Sequence, residues 1–269
     1  MLTTFIYVSL AGLIGAGLGG LIGIFFGKLS KTGTSYVLSF TAGLMLAIVF
    51  FDLVPESANL GTFFEVIFGM VFGVAILLVI NHLLERKLKK ISIDEDTVKN
   101  FSILSLPSIL VHEKDSMDTK VRKSLLKTGL IMFIAISLHN LPEGMAIGTM
   151  GGVSLGAALK LAILICIHDI PEGIAITTPL VGGGVSKGKS FFLSILAGAV
   201  TIVGGIIGIA LGGINDSITA FSLAFAGGAM LYVTLLEIIP ETIMLKNSKG
   251  SQLMIIVGLM FGYAIINII

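Results

Sequence analysis

Thr128 to Met150 reads TGLIMFIAISLHNLPEGMAIGTM. It is long enough to cross a hydrocarbon core of roughly 30 Å, which takes about 20 mostly apolar residues in a helix. Yet an imidazole, a carboxylate and a proline sit in its middle. Charge at that depth costs about 2.5 to 3.5 kcal/mol per residue on insertion scales and usually marks a pathway or ligand site. Working outward, seven more apolar runs of similar length fall near 5–27, 35–57, 63–84, 156–180, 191–213, 217–244 and 250–268. The expected fold is therefore all-α: a polytopic membrane protein with eight transmembrane helices. No basic residue precedes the first run, which opens after Met1-Leu2-Thr3-Thr4 and is too long for a signal-peptide core, so it reads as a permanent helix.

Composition agrees. Charged residues are 12% of the chain, against about 25% in a soluble domain, and hydrophobic residues are 55%. A formal charge of +1 supplies no basic field of the kind nucleic acid requires, so no nucleic-acid partner is expected. The one cysteine, Cys166, forms neither an internal disulfide nor a thiolate cluster. Any bound metal would use His, Asp, Glu, Asn, Met or backbone oxygen.

Sixteen of the 17 Lys and Arg residues fall in the connections 1-2, 3-4, 5-6 and 7-8, with Lys160 alone on the other side. Cytoplasmic loops retain basic residues. The expected orientation in the cell membrane therefore has both termini outside and the 3-4 connection in the cytosol. The chain divides into spans 1–3 (1–84), a cytosolic loop (85–127) and spans 4–8 (128–269). The loop carries both charge signs, and its His112, Glu113 and Asp115 read as ordinary solvated residues.

Two motif matches carry no weight. Gly183 to Ser190, GGVSKGKS, fits the phosphate-cradling G-x-x-x-x-G-K-S pattern, which needs a strand before it and an α/β domain around it. Here it joins two apolar spans. Gly15 to Gly20, GAGLGG, fits G-x-G-x-x-G but lies inside span 1. Gly15, Gly19, Gly23 and Gly27 recur every four residues there, as Gly204, Gly208 and Gly212 do in span 6, which predicts close helix packing.

The polar clusters carry the chemistry. Span 4 contains His139-Asn140-Leu141-Pro142-Glu143-Gly144 and span 5 contains His168-Asp169-Ile170-Pro171-Glu172-Gly173. Both lie near the bilayer midplane, and the three acids Glu143, Asp169 and Glu172 would together cost on the order of 8 to 10 kcal/mol if left bare. Residues three and four apart share a helix face. His139, Glu143, His168 and Glu172 can therefore surround a divalent ion, with Asn140 and Asp169 offering oxygens to a second ion and the glutamates bridging. Pro142 and Pro171 free the carbonyls of Leu138 and Ile167, irregular backbone of the kind tolerated where it lines a cavity. The pattern recurs as Asp52-Leu53-Val54-Pro55-Glu56 and Glu237-Ile238-Ile239-Pro240-Glu241. Asp52 and Glu56 are expected near the outer surface and Glu237 and Glu241 near the cytosol, which makes a cation route through the centre. Spans 1–3 and 6–8 read as inverted repeats around the 4-5 pair.

These paired motifs, within eight spans and a long 3-4 connection, resemble the Zrt/Irt-like (ZIP) divalent-metal transporters over nearly the whole chain. The resemblance implies a two-metal centre on His139, Glu143, His168 and Glu172, with Met45 as a thioether contact and a second ion near Asn140 and Asp169. It also implies movement of metal into the cytosol by an elevator-like sliding of helices 1, 4, 5 and 6, in a homodimer. Zinc is the first expectation; iron, manganese, cobalt or cadmium also suit N/O ligands. The metal is cargo, no cofactor is expected, and loading is pH-dependent because the histidines must be deprotonated to ligate. Two features depart from the family. Thr201 stands where many members carry a helix 6 glutamate, predicting a weak or absent second site, and the loop has one histidine, His112. The competing readings are an intramembrane metalloenzyme, for which no H-E-x-x-H motif is present, and a cation-conducting channel using the same residues.

Overall fold

A computed structural model describes residues 1–25, 31–90 and 119–268. Among them eight helical rods follow one another: α1 (Leu2–Phe25); α2 (Lys31–Ile48, continued through a π-helical turn, Val49–Leu53, into Val54–Leu60); α3 (Phe63–Lys90); α4 (Thr119–Val153); α5 (Leu155–Gly182); α6 (Lys187–Leu211); α7 (Asp216–Val233, continued through a second π-helical turn, Thr234–Ile238, into Ile239–Leu245); and α8 (Lys249–Ile268). Seven of them are long and apolar enough to cross a bilayer, and α5, 28 residues long, joins them at the centre. Outward faces are oily, with Phe63, Phe64 and Phe68 of α3 and Leu253, Ile256 and Met260 of α8 exposed. The buried set includes many small and polar residues.

The helices overrun the apolar runs at the polar connection. Leu, Arg, Lys and Glu are good helix formers, and α3 continues to Lys90 while α4 begins at Thr119, beyond the apolar stretches that end at Leu83 and start at Leu125. His112, Glu113 and Asp115 lie outside the described residues, as does Gly27.

A single register relates the two halves. Pro55 and Pro240 are 185 residues apart, and Pro142 and Pro171 are 29 apart. Those offsets carry contacts onto contacts. Gly19 of α1 abuts the Ile170 carbonyl of α5, and its counterpart Gly204 of α6 abuts the Leu141 carbonyl of α4. Gly73 of α3 abuts the Phe225 carbonyl of α7, and Gly258 of α8 abuts the Phe40 carbonyl of α2. At each position a Cβ would fill the space the facing carbonyl occupies, so only glycine lets the rods come this close. Whole rods obey the same rule: α1 packs on α5 as α6 packs on α4, and α2 packs on α8 as α7 packs on α3. The molecule is thus an inverted repeat with an approximate twofold axis exchanging α1–α3 with α6–α8 and α4 with α5.

The α2–α7 pair is antiparallel. Ser57 Oγ donates to the Ala220 carbonyl at 2.7 Å near one end, and Ser35 Oγ donates to the Thr242 carbonyl at 2.9 Å near the other. In each π turn one hydrogen bond spans an extra residue, Val54 N–H to the Val49 carbonyl and Ile239 N–H to the Thr234 carbonyl. Pro55 and Pro240 follow directly. Sequence reading did not anticipate these turns, which often occur at functional sites.

The phosphate-loop match is a helix-to-helix turn. Val185 N–H bonds the Leu180 carbonyl at 2.9 Å and Gly184 N–H bonds the Val181 carbonyl at 3.0 Å, which is the Schellman arrangement that closes a helix. Gly184 has φ +93°. A side chain in this left-handed region costs about 1 to 2 kcal/mol, so Gly184→Ala should lower the melting temperature of the detergent-solubilised protein, as thermal unfolding would read.

Candidate metal centre

Packing of α4 on α5 places the two motifs face to face. His139, Asn140, Glu143, His168, Asp169 and Glu172 are each at most 1% exposed, so water supplies none of their solvation. His139 Nε2 lies 3.0 Å from Glu172 Oε2, and His168 Nε2 lies 2.9 Å from Glu143 Oε1. The 29-residue offset exchanges these two contacts, so the twofold axis runs through the cluster. His168 Nδ1 is 3.3 Å from the Leu164 carbonyl. His168 Nε2 also lies 3.4 Å from Asp169 Oδ1. A hydrogen bond at either imidazole–carboxylate contact needs a proton between the two groups. A divalent ion would take its place, so loading would release protons.

Two groups of ligand atoms result, His139 with Glu143 and Glu172, and Glu143 with His168 and Asp169, the atoms within each group lying no more than 4.8 Å apart. Glu143 belongs to both. His168 thus lies with Glu143 and Asp169, and His139 with Glu143 and Glu172. Several buried polar atoms here have no hydrogen-bond partner: His139 Nδ1, Asn140 Oδ1, Glu143 Oε2, Glu172 Oε1, both Asp169 oxygens and Thr201 Oγ1. Buried oxygens are normally satisfied, and a concentration of unsatisfied ones between imidazoles could hold a metal ion.

The walls come from α1 and α6. Asn140 Nδ2 donates to the Ala197 carbonyl at 2.9 Å, which turns its Oδ1 inward. Gly15 makes room for the Asp169 side chain and Gly12 for Thr201, whose hydroxyl is buried. Met45 is fully buried on α2, which packs on α5, and its Sδ lies 3.6 Å from Thr234 Oγ1. The four outlying acids are not drawn into the cluster. Asp52 and Glu237 sit within the π turns, with Glu56 and Glu241 one turn on, toward opposite ends of the α2–α7 pair.

The family model described as ZIP Zinc transporter matches residues 90–269. The chain belongs to this family. Among curated ZIP relatives, the zinc transporter GufA of Myxococcus xanthus is 38% identical over 143 residues, 51% of this chain and 53% of GufA. The zinc transporter ZIP11 of Homo sapiens is 42% identical over 135 residues, 48% of this chain and 40% of ZIP11. The match thus spans about half of GufA and less of ZIP11. The zinc transporter ZupT of Clostridium perfringens (strain 13 / Type A) is 31% identical over 281 residues, 98% of this chain and 94% of ZupT. Sequence reading of this ZIP chain missed Thr234 of α7, whose hydroxyl lies 3.6 Å from the Met45 sulfur. The shared spacing of the two outlying Pro-Glu motifs was the available signal, since extending it residue by residue pairs every position of α2 with one of α7.

Proposed function

We propose that this ZIP protein carries divalent metal ions, zinc foremost, across the cell membrane into the cytosol by alternating access, as a homodimer with both termini outside. The observation that carries the reading is the cluster of buried carboxylate and imidazole groups on the twofold axis, with their lone pairs unspent. The names of GufA, ZIP11 and ZupT favour zinc, and iron, manganese, cobalt and cadmium suit the same N/O donors. One ion is held by His139, Glu143 and Glu172, and a second by Glu143, His168 and Asp169 with Asn140 beside it; Met45 adds a thioether. The ion enters past Asp52 and Glu56, exchanges its waters for the central ligands, and leaves past Glu237 and Glu241. The helices α1, α4, α5 and α6 slide as a group against α2, α3, α7 and α8, with the close glycine contacts of α1 on α5 and α6 on α4 holding the moving group together.

Radiotracer zinc uptake into proteoliposomes tests this. Saturable uptake in the wild type, lost in His139→Ala with folding intact, is the expected result. Uptake that never saturates would favour the channel reading, and undiminished uptake in His139→Ala would remove the centre from the route. Thr201→Glu, placing a carboxylate beside Asn140 and Asp169, should raise the zinc retained per chain, as elemental analysis of the purified protein would read.

A further inference from the structure

We propose that Met230 of α7 is a second thioether contact for the transported ion, the counterpart of Met45 across the twofold axis, and that it sets the preference for soft over hard divalent ions. The inference rests on the central site being the transport site. The 185-residue register pairs Met45 with Met230, and both side chains are fully buried. The axis runs between His139–Glu172 and His168–Glu143, so whatever position Met45 holds relative to His168, Met230 holds the corresponding one relative to His139. Helix packing agrees, with α2 against α5 and α7 against α4.

The two sulfurs are linked but not equivalent. Thr234 Oγ1, in the π turn of α7, donates to the Met230 carbonyl at 2.7 Å and approaches the sulfur of Met45 at 3.6 Å. Its counterpart on α2 is Val49, which has no hydroxyl, so the register places no matching donor on the sulfur of Met230. In a transporter built from inverted repeats, the two halves exchange roles when one bundle moves against the other to change access. A contact made by α2 on the α5 side in one state therefore has its image on the α4 side, made by α7, in the other. A thioether at each place keeps a soft ligand on the ion through both states. Soft sulfur favours soft cations, whereas manganese prefers oxygen.

The test is initial uptake of cadmium and of manganese by proteoliposomes holding the full chain as wild type, Met45→Leu, Met230→Leu or Met230→Cys. Leucine fills much of the volume of methionine without its sulfur, and cysteine keeps a sulfur in case leucine fails to fold. The expected result is a severalfold fall in the cadmium-to-manganese ratio in both leucine variants, with Met230→Cys near the wild-type ratio. A wild-type ratio in Met230→Leu, or equal loss of both ions, would overturn the proposal, since packing alone does not distinguish the two cations. A ratio in Met230→Cys as low as in Met230→Leu would also overturn it. A His139→Ala arm separates the underlying reading: undiminished flux of both ions there would refute the transport site itself, whatever Met230 does.

Discussion

Glu143→Gln is expected to lower zinc uptake at least about 100-fold, since loss of an outer-shell partner of a metal ligand already costs 10- to 100-fold and Glu143 belongs to both ligand groups. One of its oxygens meets His168 at 2.9 Å and the other has no partner. The amide keeps the shape and removes the charge, so the change strikes both ions at once. Asp169→Asn, which belongs to one group only, should cost less. The buried charge itself is a burden on folding, so Glu143→Gln should melt no lower than wild type without metal. What it should lose is the rise in melting temperature on adding zinc, because that rise reports binding to the folded state. Wild-type uptake by Glu143→Gln would end the shared-ligand account, and a metal-free melting point far below wild type would mark the residue as structural.

The second large effect is steric. Gly204→Ala places a methyl group on the Leu141 carbonyl, and Gly19→Ala places one on the Ile170 carbonyl. The obstacle is backbone, which cannot rotate aside as a side chain can. Overfilling a packed contact costs about 1 to 3 kcal/mol, sometimes more, and here it also parts two rods that the proposed sliding carries together. Both variants should melt lower and transport less, and to similar extents, because the two contacts are images of each other. Gly188→Ala is the control: nothing lies within 4 Å of its Cβ position, and it should be neutral or slightly stabilising. A tolerated Gly204→Ala would contradict the close approach of α4 and α6.

Hydropathy alone located the rods, because a bilayer demands long apolar runs whatever their neighbours do. The intramembrane motifs were equally legible: His139, Glu143, His168 and Glu172 stand out because polar groups at that depth need a reason. Which oxygens face which nitrogens was not legible. That depends on how α4 rotates against α5, which is set by glycines touching carbonyls far away in sequence. The π turns escaped for a related reason, since a proline announces a missing N–H but not which neighbouring bond lengthens to compensate. Helix ends at the polar connection were not legible either, because charge says where a chain leaves the membrane while helix propensity decides where the helix stops.

The two π turns have a mechanical meaning as well. An extra residue in a helix is a phase shift of about 100°, so the faces before and after it point in different directions. On α2 the stretch before the turn lies against α8 and the stretch after it against α7, while on α7 the first stretch lies against α3 and the last against α2. Each rod therefore serves two partners without bending away from either. α8, α2, α7 and α3 are thus joined in series by reciprocal grips, and deleting a single residue from either turn would swing every grip beyond it out of step.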